Sequence, residues 1–134
     1  MATQVTGIVT SLLSSGQAAS AQYKCIVATS SASDGGFAVV AVRGAKLSGI
    51  LQDNTTEAVS MAVMHTGVAK VAAGDSSAMP TAITQGVRVV ASSNGQAVGS
   101  TAAGQFLIGI ARESLATGST GFISVQLDIG AITT

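Results

Sequence analysis

Apolar residues along this chain come in short bursts separated by glycine, serine, asparagine and aspartate, the rhythm of many short strands joined by turns. The clearest burst is VSMAVMHTGVAKVAAG, where Val59, Met61, Val63 and His65 alternate with Ser60, Ala62, Met64 and Thr66. Successive side chains of a strand point to opposite faces, so this alternation predicts a strand with two distinct faces. Gly67 interrupts it, which predicts a bulge or bend before VAKVA resumes, and AGDSSAMP then reads as a loop. Upstream, the β-branched YKCIVAT predicts a strand with Tyr23, Cys25 and Val27 on one face and Lys24 on the other. Asp34-Gly35 supplies the positive-φ position of a tight turn into FAVVAV (Phe37 to Val42), the expected hairpin partner. LSGIL (Leu47 to Leu51) follows and is ended by QDNTTE.

In the second half, VRVVA runs into Ser93-Asn94-Gly95, a strong short-range hairpin signal. FLIGIARES, ATGSTG and FISVQLDIG then predict a last strand–turn–strand unit. LSGILQ (47–52) and LIGIAR (107–112) echo one another, as a duplicated unit or as convergent β patterning. No window carries sustained 3.6-residue periodicity with a cap and a charged outer face, so no helix is predicted. The first twenty residues are rich in Ser, Ala, Gln and Thr and read as an extended arm or a weakly ordered lead-in, with residues 21–134 as the β-rich domain. Within the arm, Val5, Ile8, Val9, Leu12 and Leu13 fit either a short strand or a helical turn.

The chain has 134 residues, enough for one domain, and 47% of them are hydrophobic. Only 3% are aromatic and Trp is absent, so the core has to be aliphatic. Charged residues make up 9%, against about 25% in an average soluble protein. Six Lys and Arg balance six Asp and Glu, and the cations are spread singly along the chain. A basic stripe is what displaces counterions from phosphates, so nucleic acid is not an expected partner. A neutral, charge-poor surface favours protein association instead. The N-terminus lacks the charged and apolar regions of a signal peptide, and no apolar run reaches the roughly 18 residues of a membrane span. The expectation is a soluble chain made in the cytoplasm, with no membrane partner.

Catalysis needs polar groups that converge, and few candidates exist. Asp34, Asp53, Glu57, Asp75, Glu113 and Asp128 mostly occupy turn-like contexts, where carboxylates stabilise the backbone locally. His65 is the sole histidine, a strand residue at a sheet surface or interface unless three copies meet on an axis as a metal or pH-sensitive cluster. Cys25 is the sole cysteine, which excludes an internal disulfide, and reads as a small buried hydrophobe rather than a nucleophile. SDGG and SNG are not followed by a helix pattern and do not form a phosphate-binding loop. Ser and Thr are expected on solvated faces and in turns, and Met61, Met64 and Met79 as core or interface fillers. The expectation is a non-enzymatic protein with no catalytic residue, no cofactor and no metal.

Taken in order, YKCIVA, LSGILQDN, VSMAVMHTGVAKVAAG, ITQGVRVVASSNGQAV, FLIGIARES and FISVQL resemble the bacteriophage capsid decoration (head cement) protein family. The resemblance covers about residues 20–128 and rests on order and spacing more than on any one motif. The chain departs from the family pattern in AGDSSAMPTAITQGVRV, which is reorganised, and in SSASDGGFAVVAVRGAK, which carries less charge. Both departures bear on loop-level contacts. The resemblance implies a mainly β, small single-domain β-barrel or β-tulip-like fold on the outside of an expanded icosahedral shell. It implies the major capsid protein as partner, a homotrimer or sometimes a dimer, and a place on the outer surface of the virion after synthesis in the host cytoplasm.

The uncharged, β-compatible lead-in Thr3, Gln4, Val5, Thr6, Ile8 and Val9 is the candidate capsid-binding arm, adding a strand to a sheet edge of the capsid protein. The competing reading is another phage or cellular β module that binds protein or carbohydrate, such as a tail or receptor-binding accessory domain. Sugar stacking needs exposed rings, and Tyr23, Phe37, Phe106 and Phe122 are the only aromatics, some of which are expected to fill the core. A lipoyl-type carrier would need a Lys at a hairpin tip, whereas Lys24, Lys46 and Lys70 lie within or beside predicted strands.

Overall fold

A computed structural model describes residues 5–6, 9–13, 22–29, 36–52, 60–74 and 82–134. All regular structure among them is β, in two sheets. The strands are β1 (Val5–Thr6), β2 (Val9–Leu13), β3 (Cys25–Thr29), β4 (Gly36–Val39), β5 (Gly49–Leu51) and β6 (Ser60–Met64). They continue as β7 (Gly67–Ala73), β8 (Arg88–Ala91), β9 (Ala97–Gly99), β10 (Leu107–Ala111) and β11 (Gly121–Leu127). The larger sheet runs β1-β7-β11-β10-β8-β9 and the smaller β2-β6-β5-β3-β4. Every pairing is antiparallel except a parallel bridge, Ala73↔Ala97, which links β9 back to β7.

The expected hairpins form. β3 pairs with β4 from Ile26↔Val39 to Thr29↔Gly36, β8 with β9, and β10 with β11. β4 is shorter than FAVVAV: Ala41 and Val42 are exposed where the chain turns toward the other sheet, the Gly44 amide donating to the Ala91 carbonyl (2.8 Å). The β8–β9 turn spans Ser92 to Gln96, wider than a two-residue hairpin loop. Gly95 takes φ +74° there, and Ser92 Oγ accepts the amides of Asn94 (3.2 Å) and Gln96 (3.3 Å). The serine gathers backbone donors that a shorter turn would have paired directly.

β6 and β7 are one stretch of chain shared between the sheets. It leaves the small sheet after Met64 and enters the large one at Gly67, whose φ of +94° only glycine tolerates easily. The bend predicted at Gly67 is therefore a sheet-to-sheet crossing. The predicted two-faced alternation ends differently. Val63 and Met64 are adjacent and both fully buried. Near the crossing, each face of β6 is covered, one by the shared core and the other by surrounding chain.

The core is a single cluster built from both sheets. Cys25, Ile50 and Met64 come from the small sheet; Val71, Val89, Val90, Ile108, Ile123 and Val125 from the large one. β-Branched and small residues dominate it, as the near-absence of aromatics requires. Of the aromatic side chains, Tyr23 and Phe106 are half-buried and Phe122 is 51% exposed, while the Phe37 side chain lies outside those described.

Backbone bonds tie the sheets together at Tyr23. Its amide donates to the Leu51 carbonyl (2.7 Å) and its carbonyl accepts the Ala72 amide (2.8 Å). Tyr23 has φ +65° and is the only described non-glycine residue with positive φ. The strand accordingly begins at Cys25, and the predicted alternation does not reach back to Tyr23. Cys25 points into the core while the Tyr23 ring lies on the outside.

Candidate functional site

The residues of the candidate arm divide into two groups. Thr3, Gln4 and Ile8 lie outside the described residues. Val5 and Thr6 form β1 and Val9 opens β2, so of the two conformations open for this segment the strand is the one adopted. Val5 pairs with Val68, Thr6 with Gly67, and Val9 with Met64. The register is the same in both sheets, so the segment follows the β6–β7 stretch across the crossing. The chain's own backbone thus receives this strand.

Asp34, Asp53, Glu57, Asp75 and Met79 lie outside the described residues. Cys25 is completely buried as a free thiol, and burial pushes its pKa up, so the nucleophilic thiolate is suppressed. His65 is half-buried between β6 and β7; a Cβ on Gly49 would stand 3.3 Å from its Nδ1. Glu113 Oε2 accepts the Ser124 amide (2.6 Å). Partial desolvation alone would raise this carboxyl's pKa, but hydrogen bonding outweighs it and holds the group below its ordinary range. Asp128 is exposed just after β11. Among the described residues no three of His, Cys, Asp and Glu stand together. No described helix is long and apolar enough to cross a membrane, which leaves strands undecided.

The most developed surface feature is a cluster that sequence reasoning did not assemble: Tyr23, Lys70 and Phe122. In the β7–β11 ladder Lys70 pairs with Ser124 and Ala72 with Phe122. Residues directly opposite in an antiparallel pair share a face, so Lys70 and Phe122 are diagonal neighbours on the outer one. The inner face carries Ala69, Val71, Ile123 and Val125, all buried. Tyr23, bonded to the far edge of Ala72, brings its ring back over β7. The rings of Tyr23 and Phe122 meet edge to face, with centroids 5.6 Å apart and planes at 84°. Lys70 Nζ sits 4.7 Å from each centroid, in the corner they form. Each such cation–ring contact is favourable, by about 0.5–1 kcal/mol when exposed. A signal existed in the sequence, since Lys70 interrupts an apolar run and Phe122 opens one. Their meeting depends on register and on the turn of the backbone at Tyr23, which sequence does not supply.

A second feature is an open groove of about 600 Å³ at the ends of β8 and β9, lined by Val87, Arg88, Ser100, Thr101 and Thr133 among others. Its 100–105 rim is rigid: Gln105 Oε1 accepts Ser100 Oγ (3.1 Å) and the Thr101 amide (3.2 Å), and Thr133 Oγ1 donates to the Ala102 carbonyl (2.8 Å). Its walls are small residues with a single cation, and nothing in it converges on a reacting centre.

The chain matches no protein-family model, and a comparison with curated proteins likewise gave no match.

Proposed function

We propose that this chain is a non-enzymatic decoration protein that binds the exterior of an expanded icosahedral phage capsid and stabilises it. The observation that carries the reading is the correspondence between motif order and fold. YKCIVA, LSGILQDN, VSMAVMHTGVAKVAAG, ITQGVRVVASSNGQAV, FLIGIARES and FISVQL supply β3, β5, β6–β7, β8–β9, β10 and β11 in turn. The segments that resemble the family thus supply eight of the eleven described strands, all but β1, β2 and β4. Within the same reading, the ring of pairings β7-β11-β10-β8-β9, returning to β7 through Ala73↔Ala97, supports a small β-barrel of tulip-like form.

The proposed partner is the major capsid protein and the proposed assembly a homotrimer on the outer surface of the virion. Binding the expanded shell and not its precursor stabilises the shell by mass action, and many copies add avidity. Among the described residues β1 closes the large sheet on one side and pairs only with β7. A capsid strand added beside Val5 and Thr6 would extend that ladder. Co-sedimentation with undecorated expanded heads, followed by cryo-electron microscopy, tests the reading. Added density on the outer surface at three-fold or quasi-three-fold positions is the expected result; no binding to expanded heads would sink it.

One observation favours the alternative, a β module that binds protein or carbohydrate. The objection that the few aromatics are consumed by the core does not hold for Phe122, which is 51% exposed beside Tyr23. Gel filtration separates the readings: a trimer fits decoration, a strict monomer the accessory module.

A further inference from the structure

We propose that the outer face of the β7–β11 ladder, centred on Lys70 between Tyr23 and Phe122, is a protein-docking surface whose occupant presents a carboxylate flanked by apolar side chains. The identity of the occupant as capsid protein rests on the reading above; the surface itself rests on four observations.

The first is how the rings are placed. The chain has four aromatic residues, and two of them meet here on the outer face of a sheet whose inner face is aliphatic. Exposed, well-positioned aromatic side chains are the commonest anchors of protein interfaces. The second is preorganisation. Tyr23 is held in a left-handed conformation by two backbone bonds to two different sheets, so its ring is aimed before any partner arrives. Ordering such a side chain at the moment of binding would otherwise weaken association. Backbone strain retained at a surface residue is itself a pointer to function.

The third observation is the state of the cation. The Lys70 ammonium lies against both rings, which shield it from water on two sides. A carboxylate arriving from the open side would make a charge-assisted hydrogen bond in a partly desolvated place. The fourth is the count and setting of charges. There is one cation here, not a stripe, with Val68, Ser124 and Gln126 on the same face. A single ammonium set between two rings matches one acidic side chain and its apolar neighbours, whereas a polyanion would call for several cations in a row.

The test compares Phe122→Ala, Lys70→Gln and Lys70→Glu with the full-length chain in co-sedimentation on expanded heads, with thermal midpoints as the control for folding. Phe122→Ala and Lys70→Glu should each weaken binding at least about tenfold, with Lys70→Gln between them and the parent, while midpoints fall only by the few degrees that the lost ring contacts account for and the chain stays folded. Binding of all three at parental affinity would overturn the proposal while leaving the capsid reading intact. If the parent binds no head, the capsid reading fails and the surface is tested on an array of Asp- and Glu-containing peptides with apolar flanks. Peptide binding lost in both Phe122→Ala and Lys70→Glu supports the surface; no such peptide overturns it. Glycan binding that is lost in Phe122→Ala but retained in Lys70→Glu would also overturn it, in favour of a saccharide site.

Discussion

Tyr23 occupies a backbone conformation that costs an L-residue about 1–2 kcal/mol, and two intersheet hydrogen bonds hold it there. Substitution separates the backbone from the ring. Tyr23→Gly and Tyr23→Ala both lose the contacts with Lys70 and Phe122, but only glycine relieves the φ of +65°. The glycine variant should be the more stable of the two by about 1 kcal/mol in chemical denaturation. Equal stability would mean that the conformation is not strained. Glu113 gives the second residue-level expectation. Its pKa is lowered in the folded chain, so its contribution is complete above the unfolded carboxylate value, about 4.3, and is lost as pH falls through the folded one. Glu113→Gln should therefore be destabilised relative to the parent at neutral pH, by less than about 1 kcal/mol given the group's exposure. The gap should close in acid. A gap that stays constant with pH would assign the effect to shape and not to charge.

The echo between LSGILQ and LIGIAR has a common physical cause at the level of elements. In each, the central glycine lets its strand approach the next one. A Cβ on Gly109 would overlap the carbonyl oxygen of Gln126, one residue before its partner Leu127. A Cβ on Gly49 would stand 2.8 Å from the carbonyl oxygen of Met64 and 2.5 Å from Cγ1 of Val63. The two strands lie in different sheets, yet each pairs with the strand that follows it. Gly109→Ala should push β10 from β11 and cost about 2–4 kcal/mol, since backbone cannot yield as a side chain does. At Gly99, the end of β9, a methyl group would find no other atom within 4 Å, and φ is not positive. Gly99→Ala should be neutral or stabilise by about 0.5 kcal/mol through the unfolded chain. Denaturation midpoints of the pair check this, and similar midpoints for both would contradict the close approach.

For the molecule as a whole, the strand pair β1 and β2 lies beside β6 and β7 and so touches both sheets. Removing residues 2–13 would leave backbone donors and acceptors of β6 and β7 unpaired along one edge in each sheet. The shortened chain should melt at lower temperature and associate more readily, and a synthetic peptide of residues 2–13 should restore the midpoint when added. An unchanged midpoint without the peptide would show that this pairing adds nothing to the fold. Stability and capsid affinity are separate readouts of the same deletion. A chain lacking the segment that still bound expanded heads with full affinity would remove the arm from the capsid contact, whatever its midpoint.

The succession of strands along the chain was legible from the residues alone, because β-branched runs and turn clusters act locally. Ile26, Val27 and Ala28 announce a strand wherever they are placed, and Asn94-Gly95 announces a reversal. The aliphatic nature of the core followed from composition. Which strands become neighbours did not, because runs of Val and Ala pair with one another in many registers. The crossing of β6–β7 between sheets, the burial of both Val63 and Met64, and the return of β9 to β7 at Ala73↔Ala97 all depend on contacts far apart in the chain. The same holds for the surface at Lys70. A lysine, a tyrosine and a phenylalanine separated by some fifty residues at each step carry no local sign of one another. Only the β7–β11 register and the left-handed turn at Tyr23 bring them together, and both are products of the packed structure.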